Sequence, residues 1–324
     1  MKAIYCVKYG THHDLEIRDI PAPGEPLANQ VSVRLDARGI QFSDLVRFAG
    51  NYQVESELPF IVGGEAAGTI TAVGDGVDYL NIGDSVLCTG GCVEKINIEA
   101  SKVTRLPAGA DLIKAASFMN NYATAYYGLQ RAQLQPGETL LVLGAGGGVS
   151  LAAVDLGKLF GARVIGAAST DEKLAVVSRM GADDTINYSD GFKDKVKAMT
   201  DGLGADVIYD PVGGDTFDEA MRCVAPFGRI LIVGFTSGRA ALAKTNHLLV
   251  KDAAVIGYSL GGVAKYKPEL LKRNAATLLD WLGNGRINPF VSHVFPMDDI
   301  KEAYQQLVDR KVIGKVIIAE PSAN

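Results

Sequence analysis

Apolar and polar residues follow two regimes along the chain. Through the first hundred or so residues the apolar runs are short and alternate with polar ones. Met1–Tyr9 alternates, and Gln30–Gly39 does so through Val31, Val33 and Leu35; Gly68–Val77 and Asp84–Leu87 continue the pattern. Pro21–Pro26, Gly74, Gly76 and Gly83 punctuate these runs. Period-two runs separated by turn residues predict short strands in a compact, β-barrel-type domain.

From Asp111 the period lengthens. Asp111–Arg131 places Ala115, Phe118, Tyr122 and Ala125 at helical steps, and Gln135-Pro136-Gly137 ends the segment. Strand and helix patterns then alternate. Leu140–Leu143, Arg163–Ala168, Thr185–Tyr188, Ala205–Tyr209, Gly228–Val233 and Ala254–Tyr258 read as strands. Val149–Phe160, Asp171–Met180, Phe192–Thr200, Asp215–Val224 and Asn246–Val250 read as the helices between them, the second capped by Ser169 or Thr170. Six strands with interleaved helices predict an α/β fold of Rossmann type, a doubly wound parallel sheet. Beyond them, Pro268–Gly283 and Ile300–Asp309 read as helices, and Lys315–Ala319 as a strand returning to the β domain. The expected division is residues 1–120 with 260–324 in one domain and 121–259 in the other.

Thr139–Ala168 carries the clearest chemistry. A buried strand runs into Gly144, Ala145, Gly146, Gly147 and Gly148, and Val149 opens a helix. A glycine turn between strand and helix lets the backbone approach a pyrophosphate, with the free N–H groups of the helix start pointing at it. These six residues are the candidate phosphate loop.

Composition narrows the partners. The chain has 324 residues, 48% hydrophobic and 21% charged, as an ordinary globular protein of two domains would. A net charge of −5 without a lysine/arginine stripe argues against nucleic acid. Every long apolar stretch is broken by charge, so no transmembrane helix is expected, and Met1–Lys8 lacks a signal-peptide core. Four sparse cysteines, Cys6, Cys88, Cys92 and Cys223, fit reduced thiols in a cytoplasmic protein.

Several motifs stand in a telling order: Gly39-Ile-Gln-Phe-Ser-Asp44, Gly50-Asn-Tyr52, Gly63-Gly-Glu-Ala-Ala-Gly68, Gly144–Ser150, Asp210-Pro-Val-Gly-Gly214 and Gly314-Lys-Val316. Through them the chain resembles the medium-chain dehydrogenase/reductase superfamily, in its zinc-free NADPH:quinone oxidoreductase and enoyl reductase branch. The resemblance implies a GroES-like catalytic domain beside the nucleotide-binding one, and a homodimer joined through the last strand of the nucleotide domain near Ala253–Ser259. Two departures stand out. Ser150 replaces the glycine that usually ends the phosphate loop, and Gln41 replaces an asparagine.

Zinc members of the superfamily hold their catalytic ion at positions that match Gln41, Gly64 and Asn120 here. None suits zinc, and Cys88 with Cys92 is too few for a structural zinc loop, so no metal is expected. Without zinc, hydride passing to an electron-poor carbon or quinone leaves charge on a carbonyl oxygen, which hydrogen-bond donors stabilise. Gln41 is a candidate donor. By resemblance to enoyl reductases, Tyr52 is the candidate proton donor, with a cleft-wall aromatic as the alternative. Thr124 resembles the family's threonine beside the nicotinamide. Phe42, Phe48, Phe118 and Tyr126 are expected to line the pocket.

At the end of the second strand, NAD-binding units place an acid against the ribose hydroxyls. Here Ala168 holds that position, followed by Ser169 and Lys173, with Tyr188 closing the third strand. A lysine about 5 Å from a phosphate gains roughly 3 kcal/mol per unit charge at an effective dielectric of about 20, which favours NADPH. Gly234 and Phe235, where the fifth strand ends, and Arg310, by resemblance, complete the candidate cofactor contacts. Two functions follow from the sequence. One is an NADPH-dependent reductase of small electrophiles, quinones or α,β-unsaturated carbonyls. The other is an NADPH-binding protein with little turnover and a structural or binding role.

Overall fold

The alternating run at Gln30–Ile40 forms an eleven-residue strand, and the sheet of the N-terminal half is built on both its edges. The computed structural model describes residues 1–51 and 56–320. The chain begins with β1 (Lys2–Cys6), β2 (Leu15–Asp19), β3 (Gln30–Ile40), α1 (Phe42–Phe48), β4 (Phe60–Ile61) and β5 (Glu65–Val73). There follow β6 (Ser85–Thr89), β7 (Lys95–Glu99), β8 (Thr104–Arg105), α2 (Leu112–Ala115) and α3 (Met119–Arg131). The alternating half then holds β9 (Thr139–Val142), α4 (Gly148–Leu159), β10 (Arg163–Ala168), α5 (Asp171–Arg179), β11 (Asp184–Asn187) and α6 (Lys193–Met199). It continues through β12 (Ala205–Asp210), α7 (Gly214–Cys223), β13 (Val224–Ile232), α8 (Thr245–Lys251) and β14 (Ala254–Gly257). Helices α9 (Leu260–Tyr266) and α10 (Pro268–Gly283) precede β15 (Val291–Phe295), α11 (Ile300–Val308) and β16 (Lys315–Ile318).

Two compact units result: Met1–Met119 with the chain from Pro289 onward, and Asn120–Asn288. In the first unit, β2-β1-β4 form one sheet and β15-β16-β3-β5-β6-β8 the path of another. Strand β7 pairs with Gln30–Arg34 of β3, and β16 with Arg38–Ile40. One long strand thus serves two partners along the edge that β5 leaves. The path runs from β15 to β8 among the described residues, a barrel-type arrangement that is not closed. Apolar residues at alternate positions close two clusters, one around Ile4, Ile40, Phe48, Tyr304, Val316 and Ile318, the other around Val31, Val33, Leu35 and Val86.

The second unit follows the sequence pattern closely. Among the described residues its sheet has six strands in the order β11-β10-β9-β12-β13-β14, all parallel. Leu140, Leu141, Val142 and Leu143 are fully buried, as a strand covered on both faces requires. The order reverses between β9 and β12, and such a switch point opens a crevice at the carboxyl ends of the strands.

Several expectations change. Helices α9 and α10 group with the second unit, not the first. The reason is packing: Trp281 meets Tyr126 edge-on at 5.4 Å, and Asn274 donates to Gln130 at 2.8 Å. Asp111–Arg131 breaks into α2 and α3, with the Ser117 hydroxyl donating to the Lys114 carbonyl where the first helix ends. Thr170, not Ser169, caps α5. Phe48 and Phe118 are core residues, 1% and 0% exposed. No helix among the described residues is long and apolar enough to cross a membrane.

Arg229 on β13 ties the base of this second sheet. It grips Glu138 with two nitrogens, each at 2.8 Å, and donates to the Ala132 carbonyl at 2.8 Å. Burial pushes the Glu138 carboxyl up, but Arg229 and the Gln135 N–H outweigh it and hold it below 4.5. Because the folded value is depressed, the pair stabilises the fold at neutral pH and loses that contribution as pH falls through it. Arg229→Ala is expected to cost about 2–3 kcal/mol at pH 7 in chemical denaturation, and clearly less at pH 3. An equal cost at both values would mean that packing, not the pair, is what the substitution removes.

Candidate active site

Three strand ends build the nucleotide-binding side of the second unit. Strand β9 stops at Val142, and the chain turns sharply at Gly144, whose φ of +54° is the left-handed conformation that glycine adopts at least cost. Ala145 donates its N–H to the Ala167 carbonyl at 2.9 Å, fastening the turn to β10. Gly147 takes the position before α4, and Gly148 and Val149 begin the helix. The predicted loop Gly144–Val149 therefore lies at a helix N-terminus, at the switch point of the sheet, where a pyrophosphate finds aligned N–H groups.

Ser150 does what the sequence comparison left open. It is fully buried, and its hydroxyl donates to the Leu143 carbonyl at 3.1 Å. A glycine there would only let helix and strand approach. The serine joins the first turn of α4 to the end of β9.

Lys173 lies against this turn. A β-carbon added at Gly146 would sit 3.0 Å from Lys173 Cγ and Cδ, so the lysine stem runs over the bare face of Gly146. Thr170 holds the helix that carries it, accepting from the Lys173 N–H at 3.4 Å. Ala168, the last residue of β10, is 1% exposed and presents no acid. Asp171 is the first residue of α5, and Asn187 donates to its carboxylate at 3.0 Å. Tyr188 continues β11, its N–H bonded to the Ala168 carbonyl at 3.1 Å and its ring tilted against Phe192. The Ser169 carbonyl accepts from the Ser189 hydroxyl at 3.3 Å, closing the edge between the two strand ends. Sequence reasoning passed over Asn187 and Ser189; polar residues after a strand carry no pattern that separates them from any loop.

The far side of the switch point comes from the loops after β12 and β13. Asp210 is fully buried and accepts the N–H groups of Val212 and Gly213 at 2.8 and 3.0 Å. Burial pushes its carboxyl up, and those two donors pull against it. Val212 reaches over Gly144, 3.2 Å from where a β-carbon would be. Gly234 and Phe235 pack on the same loop. Thr236 donates to the Pro211 carbonyl at 3.0 Å, and the Phe235 ring lies against Gly213. Thr124, on α3, spends its hydroxyl proton on the Asn120 carbonyl at 2.7 Å.

In the first unit, Gln41 stands between β3 and α1. Its N–H donates to Asp44 at 2.9 Å, and Tyr304 donates to the same carboxylate oxygen at 3.1 Å. Burial pushes the Asp44 carboxyl up against those donors and Lys315. Arg310, at the end of α11, belongs to this unit and has a left-handed φ of +56°. Tyr52 lies outside the described residues.

No three His, Cys, Asp or Glu side chains among the described residues are grouped to hold a metal ion. All four cysteines are buried thiols, with Cys88, Cys92 and Cys223 pushed up to about 12 by burial. Gly64, at one position that holds zinc in zinc-dependent relatives, offers no side chain.

Two family models match. Residues 27–128 match the alcohol dehydrogenase GroES-like domain, and residues 148–276 a family described as zinc-binding dehydrogenase. The donors just described do not fit the ion in that description. A quinone oxidoreductase-like protein 2 homolog of Nematostella vectensis is 41% identical over 98% of this chain and 88% of its own. A quinone oxidoreductase of Pseudomonas aeruginosa is 33% identical over 98% and 99%. The crystal structure of Escherichia coli quinone oxidoreductase complexed with NADPH superimposes with a TM-score of 0.87 at 29% identity, covering 99% of this chain and 100% of that one.

The Ser150 bond gives a direct test of the loop. Ser150→Ala removes a buried donor from the Leu143 carbonyl and is expected to lower stability by about 1 kcal/mol in chemical denaturation. No loss would mean that the carbonyl is served equally well without it. Fold, glycine turn and sequence relatives agree, and the chain belongs to the medium-chain dehydrogenase/reductase superfamily, in its quinone oxidoreductase branch.

Proposed function

We propose that the protein is an NADPH-dependent reductase that delivers hydride to a quinone or an α,β-unsaturated carbonyl without zinc, and that it works as a homodimer. The observation that carries this reading is the pairing of the Gly144–Val149 turn with Lys173 over Gly146, at a strand end where Ala168 replaces an acid. The E. coli relative of known structure was solved with NADPH, which supports the same cofactor here. Strand β14 ends the parallel sheet, as an edge that could join a second copy would.

NADPH, when bound, supplies the hydride. The chain's own residues do the rest. Gly144–Val149 and the start of α4 are assigned to the pyrophosphate, and Lys173, Ser169 and Tyr188 to the 2′-phosphate. Thr124 is assigned to the nicotinamide, and Gly234, Phe235 and Arg310 to the cofactor. Gln41 is the donor to the acceptor's carbonyl oxygen, where negative charge grows as hydride arrives. An enone also needs a proton on carbon, and Tyr52 is assigned to give it. A quinone takes its protons on oxygen, where exchange with water is easy.

The test is steady-state NADPH oxidation with a panel of quinones and enones, chelator present throughout. Turnover is expected to persist; zinc at one per chain, lost together with activity, would overturn the metal-free reading. Tyr52→Phe keeps the ring and removes the hydroxyl. It is expected to lower enone turnover by about 100-fold or more while changing quinone turnover little. An equal fall for both acceptors would assign the hydroxyl to cofactor or fold. No change for either would leave Tyr52 as a wall residue.

A further inference from the structure

The first unit contains a lysine that the reaction as described does not use. Lys315, the first residue of β16, is 4% exposed. Lysine is almost never buried without a partner, because removing an ammonium from water costs several kcal/mol. The structure shows how it is placed. Strand β16 pairs antiparallel with the end of β3, setting Val316 opposite Ile40 and Ile317 opposite Gly39. A β-carbon at Gly39 would stand 3.1 Å from Lys315 Cε and would collide with the Ala116 carbonyl. Glycine at that point clears a channel for the lysine stem. At its end, Nζ donates to Gln41 Oε1 at 3.5 Å.

The charge has counterparts. Burial pushes the Lys315 ammonium down, and the carboxylates of Glu65 and Asp44 push it back up. Each is fixed in turn. Glu65 accepts the Met119 N–H, and Asp44 accepts from the Gln41 N–H and the Tyr304 hydroxyl. The lysine is thus held by three elements, β16, α1 and β5, and presents a hydrogen to one end of one amide.

An amide has an accepting end and a donating end. We propose that Lys315 is a positioning residue: its ammonium takes the oxygen of the Gln41 amide and so fixes the NH2 as the end that donates. The role rests on the reading of Gln41 as the donor to the acceptor carbonyl. It also accounts for the longer side chain at this position, since the amide must reach the lysine and still direct its nitrogen elsewhere. A flipped amide would aim a lone pair where charge develops, the wrong sign for the transition state.

Two independent readouts test it. The first needs no turnover. Gln41→Glu puts an oxygen where Oε1 lies and adds a charge opposite to that of Lys315. With Lys315 present, its melting temperature is expected to equal or exceed that of the native protein. In a Lys315→Met background the same change adds a third carboxylate to an uncompensated group and is expected to lower melting by about 3 °C or more. A fall of that size with Lys315 present would overturn the contact, even if Lys315→Met alone proves too unstable to study.

The second readout is kinetic. Lys315→Met is expected to lower kcat about 10- to 100-fold, the range for losing a charge-assisted hydrogen bond, with nucleotide affinity and acceptor KM unchanged. Gln41→Leu should cost a similar factor, and the double variant no more than either alone. Losses that multiply would show Lys315 acting apart from Gln41 and would overturn the role. If Gln41→Leu leaves kcat intact while the native protein turns over, the donor reading fails and the role with it. The melting comparison then still judges the contact by itself.

Discussion

Everything on the nucleotide side depends on how closely α4 approaches the end of β9. That approach brings helix N–H groups to the carboxyl edge of the sheet, and bulky side chains in the turn would prevent it. Gly144 supplies the left-handed turn, and Gly146 leaves room for the Lys173 stem. Ser150 then closes the joint with a buried hydrogen bond to Leu143. In this chain the joint is therefore bonded as well as close-packed. The loop after β12 leans on the same turn through Val212, and Phe235, after β13, packs on that loop at Gly213.

Charge is handled differently in the two units. Around the phosphate loop the cation is at the surface of a helix, and the nearby acid, Asp171, is held by Asn187. In the first unit a lysine and a carboxylate, Lys315 and Asp44, are buried, with Glu65 acting on the same lysine. Buried ion groups of this kind seldom add stability over an apolar core, and their retention calls for another reason. Control of a single amide is such a reason, because a glutamine alone can present either end. The same glycine that lets β3 pass under Ala116 makes room for the lysine, so fold and orientation share one residue.

Much of this was legible in the sequence, for physical reasons that differ between the halves. Strands covered on both faces must be continuously apolar, and helices between them must repeat every three to four residues. Six strands with helices between them could therefore be read from Thr139 onward, and Pro268–Gly283 appeared with the bounds expected. The grouping of that helix could not, because Trp281 against Tyr126 is a long-range contact with no local signature. The barrel-type character of the N-terminal half could be read from its short alternating strands, but not which edges meet. There, β3 shares one edge between β7 and β16. The glycine loop and Lys173 were visible by type and spacing. The partners of Ser150, Asn187 and Lys315 were not, since a hydroxyl, an amide or an ammonium shows its partner only after folding.

We propose that the lack of an acid at Ala168, together with Lys173 on α5, selects the nucleotide that carries a 2′-phosphate. Calorimetric titration of the native protein and of Lys173→Ala with NADPH and with NADH tests it most directly. NADPH is expected to bind tighter than NADH by about tenfold or more in the native protein, the equivalent of one partly screened charge pair. Lys173→Ala is expected to remove most of that preference by weakening NADPH and leaving NADH as it was. Equal dissociation constants for the two nucleotides in the native protein would contradict it.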